Sequence, residues 1–139
     1  MASGSFQPLA VPSKALDGRI SAILLDPDGN PSDVVNNGTP VTVRVEWNLT
    51  GSLVPSLAGT WYLHVTVEEE GGPNDFKVPA PSLPVPLNGR PDYRRDIVLT
   101  TLQAGSTYSL SVSLAYRDVL GSPQQLGGRV DVGKVNVLL

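Results

Sequence analysis

The side chains able to do acid–base, metal or ring-stacking chemistry are few and dispersed. His64 is the chain's one histidine, and there is no cysteine. Nucleophilic catalysis of the Ser–His or Cys–His kind needs a base held by a third group. Alternation instead sets His64 on the face opposite Trp61 and Leu63, which turns it to water. Asp26, Asp28 and Asn30 open like a calcium loop, D-x-D-x-N, with Asp33 nearby. An EF-hand loop wants Gly at its sixth position and a bidentate Glu at its twelfth. Counted from Asp26, those positions hold Pro31 and Asn37. The EF-hand match fails, which leaves a polar turn or a looser cation site.

The remaining candidates are acidic, basic and aromatic groups. Glu68, Glu69 and Glu70 form a solvated acidic tip at a strand end. Paired carboxylates could serve glycoside hydrolysis, but that needs a second carboxylate placed opposite. Arg90, Arg94 and Arg95 beside Asp92 and Asp96 read as a surface ion-pair strip, with an acidic partner as the other reading. Trp61, Tyr62, Tyr93 and Tyr116 could build a platform for sugar rings. Alternation sends Trp61 and Tyr116 inward, which makes Tyr62 the ring best placed for exposure. No residue is assigned a catalytic, cofactor-binding or metal-binding role, and we expect neither an enzyme nor a cofactor.

Strands must position these groups. In Val41-Thr42-Val43-Arg44-Val45-Glu46-Trp47-Asn48-Leu49-Thr50 every odd position is apolar and every even one polar, the period of a strand with one face in a core. The pattern returns at Arg19 to Leu25, Thr60 to Glu68, Tyr93 to Thr101 and Thr107 to Arg117. Val130 and Val132 are out of phase with Val135, Val137 and Leu139, which predicts a β-bulge at Gly133-Lys134. Asp26 to Pro31 is dense in turn chemistry, and residues 118–128 read as a polar, glycine-bearing hairpin loop. Pro79, Pro81, Pro84 and Pro86 exclude a central strand. An edge strand whose free side lacks donors fits this segment, as does a polyproline II segment docking on a partner. No stretch of ten residues shows a helical period. The expectation is an all-β, antiparallel immunoglobulin-like β-sandwich of seven to nine strands over 19–139, preceded by an extended arm over 1–18.

Composition narrows the function classes. Lys and Arg number 10 against 13 Asp and Glu, so no basic footprint for nucleic acid exists. Charged residues make up only 17% of the chain, so a surface rich in Ser, Thr, Asn, Gly and Pro can meet another protein with few ions to desolvate. No apolar run approaches membrane-spanning length. Met1 to Phe6 lacks a basic region followed by an apolar one, so the expected location is cytoplasmic, or the chain has had an export signal removed.

Two segments carry a resemblance. Leu102-Gln103-Ala104-Gly105-Ser106-Thr107-Tyr108-Ser109-Leu110-Ser111-Val112 resembles the E–F corner and F strand of fibronectin type III and related immunoglobulin-like domains. The resemblance implies that the Tyr108 hydroxyl bonds to backbone upstream, with Leu102 beneath the turn. It also likens Trp47 to the core tryptophan of strand B. Leu25-Asp26-Pro27-Asp28-Gly29-Asn30-Pro31, followed by Val41-Thr42-Val43, resembles the opening of bacterial immunoglobulin-like repeats of the invasin and intimin kind. Such modules space adhesive tips or build surface structures. The functional expectation is a structural or protein-interaction module that associates with itself or a co-assembling subunit. Contact candidates are Phe6, Leu9 and Val11 in the arm, Ile23 and Leu25 on the first strand, and Leu83, Val85 and Leu87 on the proline-rich edge; Trp47, Trp61, Tyr108 and Leu102 are structural. A carbohydrate-binding module is the alternative.

Overall fold

The computed structural model describes residues 2–6, 16–36, 38–100 and 102–138. Nine strands are formed among them: β1 (Ala2–Ser5), β2 (Asp17–Leu25), β3 (Val34–Val35), β4 (Val41–Thr50), β5 (Thr60–Glu69), β6 (Asp75–Pro86), β7 (Asp92–Leu99), β8 (Thr107–Arg117) and β9 (Pro123–Val137). A single turn of 3₁₀ helix covers Val54–Ser56. The strands build a sandwich of two sheets, ordered β1-β2-β4-β7 and β3-β9-β8-β5-β6. All pairings are antiparallel except the short one between β3 and β9. This is the expected all-β immunoglobulin-like sandwich.

Alternation builds the interior. Val41, Val43, Val45, Trp47 and Leu49 are each no more than 2% exposed. Burying one such side chain contributes about 1.5–3 kcal/mol. From the facing sheet come Trp61, Leu63, Val65, Val67, Tyr108, Leu110, Val112 and Leu114, all buried. Trp47 stacks on Tyr93 with centroids 5.5 Å apart, and Trp61 meets Trp47, Tyr93 and Tyr116 edge-on. Both indole N–H groups are buried in this aromatic cluster without a hydrogen-bond partner.

Three elements differ from the sequence expectation. The described part of the arm belongs to the sandwich: β1 pairs with β2, and Phe6 and Leu16 lie in the core. Phe6 packs edge-on against Trp61 at 5.6 Å. Its ring fits only because Gly18 and Gly128 lack side chains; a Cβ at Gly18 would stand 2.6 Å from it, and one at Gly128 3.0 Å. The stretch read as a loop over 118–128 is a turn over 118–122, after which β9 begins at Pro123. The glycines of that stretch allow close packing rather than a long loop. The bulge lies one residue earlier than expected. Leu110 faces Gly133 and Ser111 faces Asp131, so the ladder passes over Val132.

Candidate interaction surfaces

The four edges of the two sheets are closed to lateral pairing by different means. On β6, Leu87 N donates to Gly59 O on the β5 side. Alternation then turns the nitrogens of Val85 and Leu87 toward β5 and those of Pro84 and Pro86 to the open side, where they have no proton to offer. The proline-rich segment is thus an edge strand of the five-stranded sheet. Opposite, on β7, Arg95 occupies the inward phase between buried Tyr93 and Ile97 yet stays exposed, its guanidinium donating to the Arg94 carbonyl (2.7 Å). A charge at such a position resists a further strand. The strand β3 has two residues, and β1 lies close to β9: a Cβ at Gly4 would stand 2.8 Å from the Arg129 carbonyl oxygen.

Several sequence candidates are taken up by the chain itself. Phe6, Leu25 and Val85 are at most 5% exposed: Phe6 and Val85 lie in the phase that faces the interior, whereas Leu25 shares the outward phase of Ile23 and bridges to Pro31 in the turn that follows. They are therefore unavailable to a partner. Leu83 and Leu87 are half-buried against the core. Ile23 sits half-buried on the outward face of β2. Leu9 and Val11 lie outside the described residues. Trp47 and Trp61 are core residues. Tyr108 is fully buried, and its hydroxyl accepts from Gln103 N (2.9 Å) while Leu102 packs against the core.

The charged candidates pair across strands rather than along the segment. Arg44 makes two hydrogen bonds to the Asp96 carboxylate, at 3.0 and 3.3 Å. Arg94 meets Glu46 at 4.0 Å. Neighbours in sequence point to opposite faces, so the predicted Arg–Asp strip within 90–96 finds its partners on β4. Ser3, Arg19, Ser21, Glu46, Asn48, Asp92 and Arg94 line an open depression of about 520 Å³ on this outer face.

On the other sheet His64 accepts or donates through Nδ1 to Ser82 Oγ (3.1 Å). Burial first and Lys77 second hold its pKa below the ordinary value. Tyr62 lies under the Arg117 guanidinium, 5.2 Å from its ring centroid, and no second Phe, Tyr or Trp ring shares that face among the described residues. Lys134 pairs with Glu70 at 2.5 Å. No group of three His, Asp or Glu residues stands together as a metal site, and no helix is long and apolar enough to cross a membrane, both among the described residues.

Two turns share one construction. Asp26 Oδ1 accepts from Asp28 N and Asn30 N, Gly29 N donates to Asp26 O, and Asp26 N donates to Asn30 O, all within 3.0 Å. Asp118 Oδ1 likewise accepts from Leu120 N and Ser122 N, Gly121 N donates to Asp118 O, and Asp118 N donates to Ser122 O. This is the pattern of a type I turn followed by a left-handed residue, and Gly29 and Gly121 hold φ of +82° and +80°. The two tips differ. The first presents Pro27 and Asp28; the second presents Val119 and Leu120, which are 72% and 88% exposed. Sequence reasoning missed this apolar tip by treating 118–128 as one polar loop. The repeated D-x-x-G-x-P spacing, Asp26 to Pro31 and Asp118 to Pro123, was the signal that could have found it.

No protein-family model matches the chain, and no curated protein matches it. The resemblance to invasin and intimin repeats therefore gains no support there. Among solved structures, the chain is similar to a Niemann-Pick type C2 protein from the Japanese carpenter ant (11% identity, TM-score 0.45, covering 84% of this chain and 89% of that one). It is also similar to a β-glucosidase from Listeria innocua in complex with glucose (13% identity, TM-score 0.44), where it covers 86% of its own length but only 16% of that chain. Likenesses at this level carry no functional argument.

Proposed function

We propose that this protein is a non-catalytic structural module that associates with copies of itself. One observation carries the reading: among the described residues the two most exposed large apolar side chains, Val119 and Leu120, stand side by side on a turn tied by four hydrogen bonds. A tied turn loses little further freedom on contact, which lowers the cost of association. The blocked edges support the same reading, since they discourage indiscriminate strand pairing while leaving the loop-bearing ends of the sandwich open. The low density of charge across the surface reduces desolvation on contact.

Light-scattering mass measured from micromolar to millimolar protein tests the proposal. The expected result is a mass that rises above 14.7 kDa with concentration, and that stays near the monomer value in a Val119→Ser, Leu120→Ser double variant. A wild-type mass fixed at the monomer value over the whole range would overturn it.

A further inference from the structure

We infer that the self-association proposed above, on which this inference rests, is head-to-tail: the Val119–Leu120 tip of one copy seats in a hollow between β2 and β9 of the next. The hollow measures about 330 Å³; Ala2, Ala22, Leu24, Leu110 and Val132 line it together with the polar Ser32, Asp33 and Lys134. A protruding apolar pair and a partly apolar hollow on different parts of one molecule cannot meet within the same copy.

Strand register places the two features toward opposite ends of the sandwich. Arg117, next to the tip, faces Thr60 at the start of β5, whereas Lys134 and Leu110 in the hollow face Ser109 and Val67 near the end of that strand's pairing. Leu24 and Pro31, at the hollow, belong to the β2 terminus and the turn beyond it. Charge follows the same axis. The tip end carries Arg19, Arg90, Arg94, Arg95 and Arg117 against Asp17, Glu46, Asp92 and Asp118. At the hollow end, three carboxylates between Asp26 and Asp33, four between Glu68 and Asp75, and Asp96 stand against Lys77, Lys134 and Arg44. The hollow end is thus strongly negative and the tip end carries a small positive excess, which favours unlike ends meeting and opposes two hollow ends meeting. Exposed apolar side chains occur at both, Leu53 at the first and Val34 and Leu138 at the second.

A contact between different patches does not close on itself by a two-fold axis; it continues into rings or open rows. The tip is small, so each contact is weak and association depends on concentration.

The test mixes two half-disabled proteins. Leu120→Asp removes the tip and leaves the hollow; Val132→Arg, at a half-buried position in its lining, fills the hollow and leaves the tip. Asp33→Arg, at an exposed position beside the hollow, is the second hollow variant should Val132→Arg lower the melting temperature. Leu120→Asp alone weakens self-association by about tenfold or more. Head-to-tail contact predicts that each variant alone stays monomeric at concentrations where the wild type grows, and that their mixture forms a species of two chains and no larger. Added salt weakens the wild-type association. If the wild type associates but stops at two chains, or if hollow variants associate as the wild type does, the head-to-tail arrangement is overturned while self-association stands. A wild type that never leaves the monomer overturns both.

Discussion

The turns at Asp26–Asn30 and Asp118–Ser122 are built alike and present opposite chemistry. In each, one aspartate carboxylate oxygen holds two backbone N–H groups, and one glycine supplies the left-handed residue. Asp26-Pro27-Asp28-Gly29 places proline where a type I turn presets φ, with a polar residue after it. Asp118-Val119-Leu120-Gly121 keeps the same backbone with two apolar side chains in water. Since the first turn forms without them, the fold does not require Val119 and Leu120. Their exposure is therefore a property of the surface, and it separates what the turn needs from what the tip presents.

The sharpest way to break the likeness is through glycine. Gly29→Val and Gly121→Val each force a β-branched residue to positive φ, where nothing lies within 4 Å of the added Cβ to cause a clash. The cost is therefore conformational, about 1–3 kcal/mol, and should be similar in the two turns when read from urea midpoints. A cost confined to one turn would show that they are not equivalent. Asp26→Ala and Asp118→Ala come next. Each strands two solvent-accessible N–H groups, with an expected loss of about 1–2 kcal/mol. A null result at either position would mean that water serves those groups as well as the carboxylate does.

The strand ladder was legible because alternation records burial directly. Val41 to Leu49 and Tyr108 to Leu114 read as inward faces in sequence and are buried in the fold. The proline parity of β6 was legible for the same reason, since backbone donors alternate with side chains. What depends on contacts between distant segments was not legible. Phe6 enters the core only because Gly18 and Gly128, far apart in sequence, leave room for its ring. Gly127 and Gly128 read as a loop because glycine has the same local signature whether it bends the chain or lets another segment approach. The exposed tip stayed hidden because Val119 and Leu120 stand inside a stretch whose glycines and polar residues read as one loop until the preceding aspartate and following glycine are recognised as a tight turn.

Exchanging the tips separates their two roles. Val119→Pro with Leu120→Asp converts the second turn to the sequence Asp-Pro-Asp-Gly of the first. Both side chains point into water, so stability should change by no more than about 0.5 kcal/mol, while concentration-dependent growth in mass is lost. Conversely, Asp28→Leu on the first turn leaves the melting temperature nearly unchanged and adds a second apolar tip. A large loss of stability from the exchange would show that Val119 or Leu120 packs against the fold after all, and the distinction between turn and tip would fail.

The smallest effect lies away from both turns, and it serves as their control. The pKa of His64 is lowered in the fold, first by burial and then by Lys77. Between that lowered value and the ordinary one, the unfolded chain holds a proton that the folded chain does not. Stability therefore rises with pH through this window, and the deficit is complete once the pH falls below the folded value. Thermal melts between about pH 7 and pH 5 span the range in which histidine titrates. Over it the wild type should lose more melting temperature than His64→Gln, whose amide keeps a partner for Ser82 without titrating. The Val119→Pro, Leu120→Asp protein retains His64 and should follow the wild-type slope. Equal slopes for the wild type and His64→Gln would remove His64 from the pH response; a changed slope in the exchanged-tip protein would show that the exchange reaches beyond the exposed tip.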